Sequence, residues 1–223
     1  EAPPLIVERG EGAYLIDIEG RRYLDGVSSL WVNLHGHRRA EIDEAVRRQL
    51  GLIAHSTQLG MGQTASIELA EKLTAIAPPG LARVFYSDSG ATAVEVALKI
   101  AFQYQKQRSP ARPGKSKFIA LNLAYHGDTA GAVSVGGIGA FHEMFRPLLF
   151  ETIRAETAYC YRCPRSAEAP PCAVCAGEEI ERLILERADE TAAVIVEPRV
   201  QGAAGMRMHS PRFLREIIEM ARA

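Results

Sequence analysis

From residue 83 onward, short apolar runs alternate with longer stretches of helical periodicity, and this alternation constrains the fold more than any other feature of the chain. Residues 83–86 read as a strand, with Val94, Leu98, Ala101 and Gln105 marking a long helix behind it. Residues 118–122 read as the next strand. Ile180, Leu183, Ile184 and Arg187 then describe a helix, and residues 192–197 form a continuous apolar run of the kind found in a strand covered on both faces. A final helix carries Phe213, Leu214, Ile217, Ile218 and Ala221. Strands separated by helices connect in parallel, so the expected fold is α/β with a mainly parallel central sheet. Because the alternation stops at a helix, the chain reads as part of a larger open sheet.

The N-terminal part has a different pattern. Residues 13–18 and 22–25 flank Glu19, Gly20 and Arg21, where the glycine supplies the positive φ of a tight turn, and a β-hairpin is expected. Two helices follow, one with Ile42, Ala45, Val46 and Leu50 on a face, the other with Ile67, Ala70, Leu73 and Ala77. Pro78, Pro79 and Gly80 end the second. The chain has 26 basic and 27 acidic side chains among 223 residues, which argues against a nonspecific nucleic-acid binder. A hydrophobic fraction of 47% excludes a disordered chain. With no apolar run of spanning length and no secretory leader pattern, a soluble, cytoplasmic protein is expected.

The four cysteines, Cys160, Cys163, Cys172 and Cys175, form two CxxC pairs on either side of a proline-rich loop. This spacing suits a tetrahedral zinc site that staples the loop, but reduced thiols in a cytosolic surface loop are the favoured reading. No metal ligand is assigned. A redox role is disfavoured because neither pair opens a helix after a strand.

Three segments could carry chemistry, each after an expected strand. In the first, Ser87, Asp88, Ser89 and Gly90 precede a helix at once, so free amides and the positive end of the helix dipole make an anion site. The plain alternative is capping, with Thr92 and Glu95 as a capping box. The text is neither GxGxxG nor a P-loop, which disfavours a dinucleotide or ATP. In the second segment Tyr125, His126, Gly127 and Asp128 gather an aromatic face, an imidazole and a carboxylate, and Tyr125 can lie against a planar ligand. The third begins at Glu197, a carboxylate at a strand end followed by proline and glycines: an active-site loop or a chain exit. All three fall on the sheet edge where α/β proteins bind ligands.

Together the motifs Leu24-Asp-Gly-Val-Ser-Ser-Leu-Trp31, His35-Gly-His37, Ser87-Asp-Ser-Gly-Ala-Thr-Ala-Val-Glu-Val-Ala-Leu-Lys99, Tyr125-His-Gly-Asp-Thr129 and Glu197-Pro-Arg-Val-Gln-Gly-Ala-Ala-Gly-Met206 resemble the class III aminotransferases that use pyridoxal 5'-phosphate. The match runs in order through nearly the whole chain. It implies a partial fold-type I sheet with the hairpin as an appendage, residues 1–30 as a small-domain segment, and residues 31–223 as the first part of the cofactor-binding domain, the cysteine loop 160–175 included.

By resemblance, Ser89, Gly90 and Ala91 hold the cofactor phosphate; the family often has serine where Ala91 stands. Tyr125 stacks on the pyridine ring and borders the substrate, Glu197 positions groups near the cofactor, and Leu30 and Trp31 line the substrate pocket. The family's first residue of that pair is tryptophan, so Leu30 alters one wall. The wording favours the biotin-synthesis branch, implying S-adenosylmethionine as amino donor, 8-amino-7-oxononanoate as acceptor, and a homodimer. Lysine-dependent or other ω-amino acid aminotransferases are the alternative, and a noncatalytic zinc-stapled interaction module is an alternative of another class. The family's Schiff-base lysine and the aspartate that pairs with the ring nitrogen match no residue here, so the chain is expected to be clipped at both ends, to hold no catalytic residue of its own and to be inactive alone.

Overall fold

A computed structural model describes residues 3–157, 159, 161 and 174–222. They fall into two compact units, residues 1–84 and 85–223. Cys160, Cys163 and Cys172 lie outside the described residues, and with them the question of a metal-stapled loop. No helix among the described residues is long and apolar enough to cross a membrane.

In the first unit the expected hairpin is β2 (Tyr14–Asp17) and β3 (Arg22–Leu24), with Gly20 in the turn at φ +81°. The buried Asp17 carboxylate organises that turn: it accepts from the amides of Glu19 and Arg21 at 3.0 and 2.8 Å, from Arg21 Nε at 2.7 Å and from Tyr23 Oη at 2.9 Å. A further strand, β1 (Val7–Glu11), pairs antiparallel with β2 and escapes sequence reading because its Val-Glu-Arg-Gly-Glu text carries no apolar alternation. A four-residue turn, α1 (Ser28–Trp31), is followed by α2 (Ala40–Leu52) and α3 (Thr64–Ile76), which occupy the expected positions. Neither α2 nor α3 buries a residue within this chain.

The second unit is the α/β body. The long helix α4 (Gly90–Gln107) is followed by β4 (Lys117–Leu121), α5 (Ala130–Val135), α6 (Gly139–His142) and a 3-10 turn over Glu143–Leu148. Then come β5 (Ile153–Ala155), α7 (Val174–Glu186), β6 (Thr191–Ile195), the short hairpin β7 (Val200–Gln201) and β8 (Arg207–Met208), and α8 (Pro211–Arg222). The sheet order is β5-β4-β6, with both pairings parallel.

Because alternate strand residues face opposite sides, β4 serves two cores. Ile119 and Leu121 pack with Ile153, Ile180, Phe213 and Ile217 on the α7–α8 side, while Phe118 and Ala120 pack with Leu98, Val135 and Ala192 on the α4–α5 side. Helices on both faces explain why β4 and β6 read as largely apolar runs. The fold is α/β, as expected.

Two local expectations are corrected. Residues 83–86 form no strand: among the described residues none of β5, β4 and β6 pairs with them, and a short run without hydrogen-bonding neighbours has nothing to hold it extended in a ladder. Conversely, β5 was not expected, since its three residues include Arg154 and give no periodic signal.

Candidate functional site

The site is built at the carboxyl ends of β4 and β6. Helix α4 starts at Gly90, with Ser89 as its N-cap. Ser89 Oγ accepts from the Thr92 amide at 3.2 Å, and Thr92 Oγ1 accepts from the Ser89 amide at 3.1 Å, a reciprocal capping box. The expected box of Thr92 with Glu95 is therefore corrected. With the helix starting at Gly90, Thr92 is its third residue and supplies the side-chain half of the box itself. Glu95 instead accepts from the amide of Gly131 at 2.6 Å and ties α4 to the start of α5. Thr92 also donates to Asp88 at 2.8 Å and touches Ser87 Oγ, so the loop before the helix is closely knit. Capping takes up the Thr92 amide; the amides of Gly90 and Ala91 are first-turn donors that a helix cannot satisfy internally. A side chain built on Gly90 would meet nothing within 4 Å.

The segment after β4 reaches this helix start directly. Gly127 sits at φ +119°, and a Cβ placed on it would lie 2.5 Å from Ala91 Cβ and 2.8 Å from Ala91 Cα. Only glycine permits both that backbone conformation and that approach. Glu197, just past β6, joins the third segment to the second: its carboxylate accepts from the Tyr125 amide at 3.2 Å and from the Gly202 amide at 3.3 Å. Burial pushes the Glu197 pKa up, and these two amides oppose the rise. With both oxygens committed to backbone donors, Glu197 is arranged to position loops rather than to exchange protons. Gln201, fully buried, donates to the carbonyl of Asn122 at 2.9 Å and clamps the loop from the far side. Nothing in its local sequence distinguishes that glutamine from a turn residue.

Thus Ser89, Gly90, Ala91, Tyr125 and Glu197, expected from sequence, converge on one edge of one sheet. Tyr125 is half-buried, donates from Oη to Asp128 at 2.7 Å, and lies with its ring 6.4 Å from that of His142 at an interplanar angle of 16°. Leu30 and Trp31 belong to the first unit, where the whole Ser28–Trp31 turn has positive φ, from 45° to 74°. L-residues resist such a left-handed turn, which Asp25 holds by accepting from the amide and hydroxyl of Ser29, both at 2.8 Å. The turn leaves Leu30 and Trp31 exposed within this chain. Among the described residues no cluster of His, Cys, Asp and Glu could hold a metal ion.

Buried polar atoms crowd the same edge. Among the described residues His126 Nε2 and Thr129 Oγ1 are buried without a hydrogen-bond partner, and burial, with Arg154 adding to it, pushes the His126 pKa down to about 4. The unfolded imidazole titrates near 6.5, so between these values the unfolded chain binds more protons and stability rises with pH. The contribution is complete above about pH 6.5 and is lost as the pH falls toward 4. Urea midpoints taken between pH 6.5 and 5 should drop by the equivalent of about 1–2 kcal/mol, and His126→Gln should remove the larger part of that slope. An unchanged slope would show that His126 titrates alike in both states.

Residues 1–223 match the family described as Aminotransferase class-III. The adenosylmethionine-8-amino-7-oxononanoate aminotransferase of Nitratidesulfovibrio vulgaris is 54% identical over 217 residues, covering 97% of this chain and 40% of that protein. The crystal structure of the enzyme of that name from Methanocaldococcus jannaschii superimposes with a TM-score of 0.89 at 44% identity, over 98% of this chain and 47% of that one. An amine transaminase from an uncultivated Pseudomonas species, solved in the PLP-bound form, superimposes with a TM-score of 0.87 at 34% identity, over 99% of this chain and 50% of that one. The chain spans about half the length of these relatives. It belongs to the class III aminotransferases, whose cofactor is pyridoxal 5'-phosphate.

Proposed function

We propose that residues 1–223 supply the phosphate cup, ring platform and part of the substrate wall of a transaminase that moves an amino group from S-adenosylmethionine to 8-amino-7-oxononanoate in biotin synthesis. The observation that carries this reading is the convergence of three separate segments on one sheet edge: the α4 start, the loop of Tyr125 and the loop of Glu197. The names of the relatives at 54% and 44% identity support the substrates. When bound, the cofactor supplies an electron sink that stabilises negative charge on the substrate carbon.

The residues present fit that group. The open cradle over Gly90 and the first-turn amides of α4 suit a phosphate, with Ser89, Gly90 and Ala91 around it. Ala91 offers no hydroxyl, so anion binding there rests on backbone amides, the dipole of an 18-residue helix and Ser89. The Tyr125 ring suits the planar part, and Glu197 keeps Tyr125 in place through its amide. Leu30 and Trp31 form part of the substrate wall. In this reading residues 1–30 act as a small-domain segment, residues 31–223 as the first part of the cofactor-binding domain, and the enzyme works as a cytoplasmic homodimer.

A lysine or another ω-amine as donor is the second reading. Leu30 favours it, since a smaller wall than tryptophan admits a different donor, and a solved neighbour is named as an amine transaminase. Feeding each donor to the protein expressed from its whole reading frame separates the two.

Gly90→Val tests the cup itself. Because its side chain meets open space in this chain, the fold should stay within about 1 kcal/mol of wild type, as surface substitutions do. Titration with pyridoxal phosphate, followed by absorbance, should lose at least tenfold in affinity as the new side chain fills the phosphate position. Normal loading of that variant would leave helix capping as the whole role of residues 87–92.

A further inference from the structure

His142 does not belong to any of the three segments singled out from the sequence. It ends the single turn α6 and passes into the 3-10 turn at Glu143. Its side chain is nevertheless buried, with 7% of the residue exposed, and neither ring nitrogen has a hydrogen-bond partner among the described residues. A histidine used for stability alone would normally satisfy at least one of them. Its ring lies parallel to that of Tyr125, and the 6.4 Å between centroids is within the range of an offset stack. Phe141 meets it edge-on at 6.3 Å and 68°. On another side the backbone closes in: a Cβ on Gly136 would come within 2.6 Å of His142 Cε1. Burial lowers the His142 pKa, Asp128 opposes that shift and Arg154 adds to it.

We propose that His142 is a positioning residue for Tyr125, a ring stacked beside the tyrosine that fixes the plane it presents to the cofactor. The proposal rests on the reading in which Tyr125 stacks on the cofactor ring. Tyr125 is then held at three points: its amide by Glu197, its hydroxyl by Asp128 and its ring by His142. The first two set the position and the reach of the side chain. The third restrains rotation of the ring about its own axis, which a single hydrogen bond at the para position leaves free. The aromatic surface is what His142 contributes, since its nitrogens have no hydrogen-bond partner among the described residues.

The test uses holoprotein expressed from the whole reading frame and reads two quantities: the dissociation constant for pyridoxal phosphate and the absorption maximum of the bound cofactor. His142→Ala should weaken binding roughly two- to tenfold, the range a stacked ring pair contributes, and should shift the maximum. His142→Phe, which keeps a ring and removes the nitrogens, should restore both. In a Tyr125→Ala background, His142→Ala should add nothing. If alanine leaves the chain unfolded, His142→Leu keeps the volume without the ring and is compared with phenylalanine in its place. Equal values for the phenylalanine and the ring-less variants, or full effects that add in the Tyr125→Ala background, would overturn the positioning role while leaving the Tyr125 reading intact. A Tyr125→Ala protein that matches wild type in both quantities would overturn that reading, and His142's role with it.

Discussion

Incubated with pyridoxal phosphate and reduced with borohydride, the 223-residue chain should carry no stoichiometric, site-specific cofactor adduct, and it should not transaminate. Its lysines are Lys72, Lys99, Lys106, Lys115 and Lys117, and the structure keeps those of the second unit away from the cup. Lys117 is the first residue of β4 and is paired with Glu151 at 3.1 Å and Glu190 at 3.2 Å, whereas the cup lies past the strand's last residue. At roughly 3.3 Å per residue, that is a strand's length away. Lys106 donates to the carbonyl of Pro113 at 3.0 Å and covers the Phe102 ring, and Lys115 sits in the same turn region before β4. Lys99 is ten residues along α4 from Ser89, roughly 15 Å at 1.5 Å per residue. Lys72 belongs to α3 of the first unit. Without an amine at the reacting carbon the proton has no carrier, a loss of about 10²-fold or more. Peptide mapping after reduction decides the matter: one lysine labelled to stoichiometry, together with turnover of S-adenosylmethionine, would refute the expectation.

Gly127→Ala should be the most damaging single methyl in the second unit. At φ +119° any L-residue is strained, by about 1–3 kcal/mol. The added Cβ also meets Ala91 at 2.5 Å, a core-like overpacking that costs about 1–3 kcal/mol. Together a loss of about 2–6 kcal/mol is expected, or roughly 4–24 °C in melting temperature for a chain of this size. The contact is with the first turn of α4, so relieving it moves the Tyr125 loop off the helix start and opens the cup. Cofactor affinity should therefore fall along with stability. Gly90→Ala is the control, since its methyl meets nothing within 4 Å. Urea denaturation and absorbance titration of both variants give the comparison, and a Gly127→Ala protein as stable as wild type would mean the loop has another way to pack.

Features governed by neighbours within a turn or two were legible in the sequence. The hairpin around Gly20, the helices α2, α3, α4, α7 and α8, and the strands β4 and β6 follow from turn chemistry and periodicity acting over a few residues. The run at 83–86 is no strand because Val84, Phe85 and Tyr86 find no partner among the described strands, and partners are chosen by the whole sheet. Strand β5, with three residues, was hidden for the complementary reason: its pairing with β4, and not its composition, makes it a strand.

The site divides in the same way. Sequence alone determined the pieces: a helix start with free amides, an aromatic beside a glycine, a carboxylate at a strand end. Tertiary structure decided what each piece is used for. Glu95 looks like a capping residue and instead holds the amide of Gly131, 36 positions away. Glu197 looks like an acid in a loop and holds the amide of Tyr125 across 72 positions. His142 carries no motif and acquires its place only because β4 and α6 bring its ring beside Tyr125. Local propensity is set by the backbone and by side chains within hydrogen-bond reach along the chain. The choice of a distant partner is set by which surfaces the sheet brings together, and no window of sequence contains that information.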